Sequence, residues 1–225
     1  MTANVGFYSF AGFPDSGKTW KAYERAKERV QATGATLLVI QREKDDKAFR
    51  DLTAAADLEE TCRRVWERGE HTKFRARTPE EVNQLSGVAL DEAPRAGGTV
   101  VLIDGIWDCL KAPNVQPNVD EIVRSGRHYK IDCLGTSQLV RDFALVARSC
   151  ALEHYQFLET DDDALKELKK RFGFEPEEVR SLPRHEYLIW TRAAVWRANA
   201  RKKMATKRKK SPDPPPAPPP PKSRA

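Results

Sequence analysis

Gly12-Phe13-Pro14-Asp15-Ser16-Gly17-Lys18-Thr19 fits the pattern G-x-x-x-x-G-K-[ST] at every fixed position. The chemistry explains the pattern. Glycines let backbone N–H groups turn inward around phosphate oxygens with no Cβ in the way. A helix that begins near Gly17 points its positive end at the anion. Lys18 reaches the β- and γ-phosphates, and the Thr19 hydroxyl ligates Mg²⁺. The whole stretch Gly12–Thr19, with Phe13, Pro14, Asp15 and Ser16 between the glycines, is therefore a candidate ATP cradle. Its context separates it from a glycine-rich turn before a surface lysine. Val5 to Phe10 reads as a buried strand in front of it, and about Gly17 to Ala32 reads as a helix behind it, ended by Gly34.

The same alternation continues outward. Strands are expected at Thr36–Gln41, Lys73–Arg77, Thr99–Ile103, Ile131–Thr136, Leu152–Leu158 and Glu186–Trp190. Helices are expected at Ala54–Arg68, from Thr78-Pro79 to the Gly97-Gly98 break, and at Asn118–Tyr129, Leu139–Cys150 and Asp161–Phe172. Strand alternating with helix predicts an α/β fold, a mostly parallel sheet with helices on both faces.

A phosphate cradle that hydrolyses needs a carboxylate at the end of a neighbouring buried strand to hold the magnesium shell. Thr99-Val100-Val101-Leu102-Ile103-Asp104 supplies four apolar residues and then an acid, so Asp104 takes that role. Val88-Ala89-Leu90-Asp91-Glu92 is a decoy, since it lies in a helical pattern before Pro94. Many ATPases place a glutamate directly after the metal-binding Asp to polarise water, whereas Gly105 stands there in this chain. Asp108 is the candidate base, with Glu92 and Glu121 behind it.

Ile131-Asp132-Cys133-Leu134-Gly135-Thr136-Ser137-Gln138 reads as a strand ending in hydroxyls and an amide, preceded by Arg124-Ser125-Gly126-Arg127. Cradle, apolar strand with Asp, R-x-x-R, then a strand ending in T-x-Q: over residues 5–190 this resembles the FtsK/HerA superfamily of P-loop ATPases. That superfamily includes DNA translocases, genome-packaging ATPases of tailless viruses and zonular-occludens-toxin-like assembly proteins of filamentous phages. The resemblance implies a P-loop NTPase fold, ATP and Mg²⁺ as cofactors, and double-stranded DNA as the partner of a homo-oligomeric ring. It also implies that Gln138 senses the γ-phosphate. Arg127, Arg124, Arg141 or Arg148 would reach a neighbour's nucleotide. Asp104-Gly105 departs from the family's Asp-Glu.

Charge divides the chain. Net charge is +6, yet Ala198–Ala225 holds nine Lys/Arg and one Asp, a net of +8, which leaves residues 1–197 near −2. Eight of the 15 prolines lie in that last stretch. An ATPase domain over 1–197 and a disordered, basic, proline-rich tail over 198–225 are expected. The tail would meet DNA, or dock on a capsid or portal-vertex protein. Apolar runs stop at four or five residues against the roughly twenty a spanning helix needs. The N-terminus lacks a basic-then-apolar leader. No membrane span, a cytoplasmic protein and reduced thiols at Cys62, Cys109, Cys133 and Cys150 follow as expectations. A DNA-packaging motor accounts for these features best. The absent spanning helix counts against a phage assembly ATPase. A small phosphotransferase or a nucleotide-dependent switch with little turnover is the alternative from another class.

Overall fold

The computed structural model describes residues 5–42, 47–138, 149–191 and 195–199. The helix expected at 139–150, apart from its last two residues, lies outside them, as do Arg141, Arg148 and the chain from 200 onward. Among the described residues nine strands form one sheet in the order β3-β4-β2-β5-β6-β1-β7-β8-β9. They are β1 Phe7–Ala11, β2 Thr36–Gln41, β3 Thr53–Ala54, β4 Thr72–Arg75, β5 Thr99–Asp104, β6 Ile131–Ser137, β7 Ala151–Gln156, β8 Glu186–Thr191 and β9 Val195–Asn199. Pairing is parallel from β3 to β7, and β8 and β9 close the far edge antiparallel. β9 runs to Asn199, two residues past the expected boundary at 197, so the start of the expected tail belongs to the sheet.

The central strands are apolar on both sides because helices cover both faces. Along β5, Val100 and Leu102 face the layer of α1 (Lys18–Thr33), beside Ala22, Tyr23 and Ala26. Val101 and Ile103 face the opposite layer, beside Val82 and Leu85 of α3 (Pro79–Glu92) and Ile122 of α5 (Pro117–Ser125). A third cluster packs α6 (Asp162–Phe172) and α7 (Pro176–Arg180) under β8 through Leu165, Leu168, Val179 and Leu188. The short α4 spans Trp107–Leu110.

Local chemistry sets the helix limits. Thr78 caps α3 by accepting from Glu81 N, and Asp161 caps α6 by accepting from Ala164 N. The acidic triplet Asp161–Asp163 is thus a helix start. Gly34 ends α1 in the left-handed conformation, its N–H donating to Val30 O. The helix expected over 54–68 is shorter than its apolar spacing suggests. Ala54 pairs with Lys73 in the sheet, and Asp57 caps Glu60 N, so α2 covers only Leu58–Cys62. A π-turn then takes over, with Arg68 N donating to Arg63 O at 3.1 Å. The expected Asn118–Tyr129 helix also divides, tightening to a 3₁₀ turn at Gly126–Tyr129.

Two polar groups are sealed in the sheet. Asp132 accepts from Arg29 Nε at 2.9 Å and from Gly6 N at 3.0 Å, and burial still pushes its carboxyl pKa up. His154 lies between Ser9 Oγ, 2.8 Å from Nδ1, and Gln156 Oε1, 3.1 Å from Nε2, and stacks on Phe172. Burial pulls its pKa down to about 4, so the ring is neutral in the folded protein. An unfolded histidine binds a proton below about pH 6.5. Stability contributed by neutral His154 is therefore full above that pH and falls as pH drops from about 6.5 to about 4, by up to about 3 kcal/mol. Urea denaturation along that pH range checks this. His154→Gln is expected to flatten the dependence between pH 6.5 and 5, where few carboxylates titrate.

All four cysteines are free thiols, and burial raises Cys109 to about 12. Among the described residues no cluster of three or more His, Cys, Asp or Glu side chains forms a metal centre, and no helix is long and apolar enough to cross a membrane.

Candidate active site

β1 ends at Ala11 and the chain turns through Gly12–Gly17 into α1. Backbone bonds to two other segments pin the turn. Gly12 N donates to Ser137 O at 3.3 Å, and Phe13 N donates to Leu158 O at 3.1 Å. Gly12 is obligate, because its φ is +145° and a Cβ would stand 2.6 Å from Phe157 Cβ. Gly17 has φ +98° and carries the His185 ring, whose Nδ1 would lie 2.9 Å from an added Cβ. Arg184 Nε donates to Asp15 O at 3.3 Å, so the approach to β8 braces the loop from outside. Lys18 is buried and its Nζ donates to Phe13 O at 3.4 Å.

α1 differs from α2, α3 and α6 at its start. It has no side-chain cap and no acidic residue in its first turn, whereas the other three have both. An uncapped, unneutralised N-terminus of 16 residues at the end of a glycine turn suits phosphate oxygens.

The acid arrives from a strand that does not touch β1. β6 separates β1 from β5. Thr19 Oγ1 nevertheless donates to Asp104 Oδ1 at 3.2 Å. Thr136, near the end of β6, donates its hydroxyl to the same Oδ1 at 2.6 Å and accepts from Gly105 N at 2.9 Å. One hydroxyl thus fixes both the carboxylate and the turn after it. The Thr19 hydroxyl and Asp104 carboxylate are hard oxygen donors side by side, which fits Mg²⁺. Gln138 follows β6 on the same edge, between the cradle strand and the Asp104 strand.

Gly105 explains the missing glutamate. Its φ is +83°, and an added Cβ would stand 3.3 Å from Arg42 Cβ. A side chain there would be both strained and crowded. Asp108, one turn on in α4, pairs with Arg42 through Nη2 and Oδ2 at 3.3 Å and is partly buried. Glu92 closes α3, a helix that starts beyond the C-terminal end of β4 and returns to the N-terminal end of β5, where Glu92 pairs with Arg95. That is the edge opposite Asp104, so Glu92 is no candidate base. Asp91 lies beside it and is exposed. Glu121 sits midway along α5. Arg127 is exposed in the 3₁₀ turn before β6, a seven-residue strand, about 20 Å from the Asp104 edge. It cannot serve its own chain's cradle. Arg124 pairs with Asp120.

Sequence reasoning missed Arg42, Arg184 and His185. Arg42 is legible only as the residue after a strand, and the other two reach the cradle from about 170 residues away with no local pattern.

No family model and no curated protein sequence matches the chain. Solved structures do. The genome packaging NTPase B204 from Sulfolobus turreted icosahedral virus 2, in complex with ATP-gammaS, superposes with a TM-score of 0.73 at 17% identity, over 88% of this chain and 98% of that one. The fold is that of a P-loop NTPase. VirB4 of Thermoanaerobacter pseudethanolicus superposes with a TM-score of 0.56 at 10% identity, over 85% of this chain and 88% of that one. EssC ATPases 2 and 3 from Geobacillus thermodenitrificans align with a TM-score of 0.57 at 13% identity, over 85% of this chain and 39% of that one.

Proposed function

We propose that this P-loop ATPase is a motor that hydrolyses ATP to move double-stranded DNA, in viral genome packaging in the host cytoplasm, and that it works as a homo-oligomeric ring. One observation carries the reading. Asp104 meets the cradle threonine Thr19 across an intervening strand, in a fold shared along 88% of the chain with a genome packaging NTPase. Gly12–Thr19 hold the phosphates and Lys18 neutralises charge on them. Thr19 and Asp104 hold Mg²⁺, which supplies charge neutralisation on the phosphate oxygens. Gln138 reads the γ-phosphate from the end of β6. Arg127 completes a neighbour's site, an assignment that fits its place on the far edge of the sheet. Basic residues past Asn199 add a sequence-blind contact to DNA or dock the ring on a portal-vertex or capsid protein.

Asp108 acts as the base that orients the attacking water, once freed from Arg42. Asp108→Asn is expected to leave nucleotide binding intact and to slow hydrolysis by about 10²-fold or more. Single-turnover phosphate release, with binding measured by a fluorescent ATP analogue, checks both halves. Equal turnover in the variant would move the base elsewhere, with Glu121 next to test.

The function is tested by steady-state ATPase rates with and without duplex DNA. Stimulation by DNA supports the motor. Turnover indifferent to DNA but driven by a small acceptor would mark a phosphotransferase, and negligible turnover under both conditions a nucleotide switch.

A further inference from the structure

The C-terminal edge of the sheet carries a second polar feature beyond the ATP cradle. Asp104, Gln41 and Arg75 are Cα partners in one row across β5, β2 and β4. Two strand spacings, about 9.6 Å, thus separate the carboxylate at the cradle from Arg75. An open cavity of about 950 Å³ lies there, and its lining includes Arg42, Arg75 and Arg77 together with Asp57, Glu59 and Glu81. Arg75 and Arg77 are exposed, and among the described residues neither guanidinium has a carboxylate oxygen within 4.0 Å. β4 ends at Arg75 and the chain bends at Arg77, with Ala76 buried between two exposed arginines. Two residues of chain span at most about 6.6 Å between Cα atoms, within reach of successive phosphates along a nucleic-acid backbone for side chains as long as arginine. A lone anion does not need that repeat.

Arg42 joins this cavity to the cradle. Its Nη2 holds Asp108, its Nη1 donates to Ala76 O at 3.5 Å, and its Nε is buried without a partner among the described residues. Two of the facing carboxylates are already used. Asp57 accepts from Glu60 N as a helix cap, and Glu81 accepts from Arg77 N at 2.6 Å.

We propose that this cavity grips the phosphate backbone of the DNA, with Arg75 and Arg77 each on one phosphate and Arg42 behind them. The assignment rests on the reading of the chain as an ATPase acting on DNA. The lining carboxylates Asp57, Glu59 and Glu81 offset the charge of the arginines, which makes the grip weak and reversible, as a moving contact must be. Guanidinium groups fit phosphate oxygens bidentately, which fixes position without reading sequence.

The test is the affinity of the full chain for a labelled DNA duplex, by fluorescence anisotropy across a salt series without nucleotide. Each phosphate neutralised contributes about −0.9 to the slope of log K against log salt. Arg75→Ala/Arg77→Ala is expected to flatten the slope by about two units, and Arg75→Lys/Arg77→Lys to restore it. Arg95→Ala/Lys170→Ala removes the same charge elsewhere on the surface and is expected to leave the slope as in the wild type. A wild-type slope in the Arg75→Ala/Arg77→Ala chain, or equal flattening in the Arg95→Ala/Lys170→Ala control, overturns the assignment and leaves the proposed function standing. A wild-type chain with no affinity for duplex DNA overturns both.

Discussion

Lys18→Ala is expected to abolish ATP hydrolysis and to weaken nucleotide binding. Lys18 is the first residue of α1 and is buried, with its Nζ already at the loop on the Phe13 carbonyl. It is the one cation in the Gly12–Thr19 cradle. Its charge is held in place before the γ-phosphate begins to leave, so little reorganisation is needed during reaction. Deleting a single preorganised donor of this kind costs about 10²–10³-fold in turnover, and a full charge on a phosphoryl group costs more. Alanine keeps the helix, so a loss of activity reports the ammonium rather than the fold. Phosphate release and binding of a fluorescent ATP analogue check the prediction. Unchanged turnover would remove the cradle from the catalytic account.

Asp104→Asn is expected to be as damaging, at roughly 10²-fold or more, while Asp91→Asn stays within about twofold of wild type. The amide keeps the shape and one acceptor but loses the charge. The one oxygen it keeps can still accept from Thr19, at 3.2 Å, and Thr136, at 2.6 Å, so the loss falls on the charge and the second oxygen that a metal shell needs. Asp91 is exposed in the last turn of α3, on the opposite edge of the sheet. The pair therefore separates an acid on a buried strand from an acid that only follows an apolar run. Magnesium dependence of the residual rate provides a second readout. A rightward shift in Asp104→Asn, absent in Asp91→Asn, is expected. A dead Asp91→Asn beside a working Asp104→Asn would overturn the strand assignment.

The cradle and its strands were legible because their signals are local. Glycine at two fixed places, a lysine and a hydroxyl give the loop, and Thr99–Ile103 with Asp104 gives a strand and its acid without any knowledge of the neighbours. Strand order was not legible. That β6 lies between β1 and β5, and brings Thr136 onto Asp104, depends on pairing with β1, more than a hundred residues away, and with β5, about thirty residues away. The sequence marked Thr136 only as part of a strand ending in hydroxyls. The gap after Asp104 was visible as a glycine, but its reason was not: a left-handed backbone and the Cβ of Arg42, which arrives from β2.

Where spacing misled, competing side chains explain it. Leu58, Cys62, Val65 and Trp66 suit one helix, yet the Asp57 cap and the pairing of Ala54 with Lys73 start it late, and a π-turn replaces its second half. In the sequence Asp108 stood as the candidate base, with Glu92 and Glu121 behind it. The path of α3 carries Glu92 to the wrong edge, while Gly105 turns the chain so that Asp108 stays near the cradle. The arginines of the second cavity gave no motif, since Arg75 ends β4 and Arg77 lies in the bend after it, and they become a pair only because Ala76 between them is buried.

The central claim is that ATP hydrolysed at Gly12–Thr19 and Asp104 drives movement along duplex DNA. Displacement of a fluorescent third strand from a DNA triplex by the full chain tests it most directly. The account predicts displacement that requires ATP and Mg²⁺ and vanishes in Lys18→Ala. A wild-type chain that hydrolyses ATP in the presence of the triplex but leaves the third strand in place would contradict it.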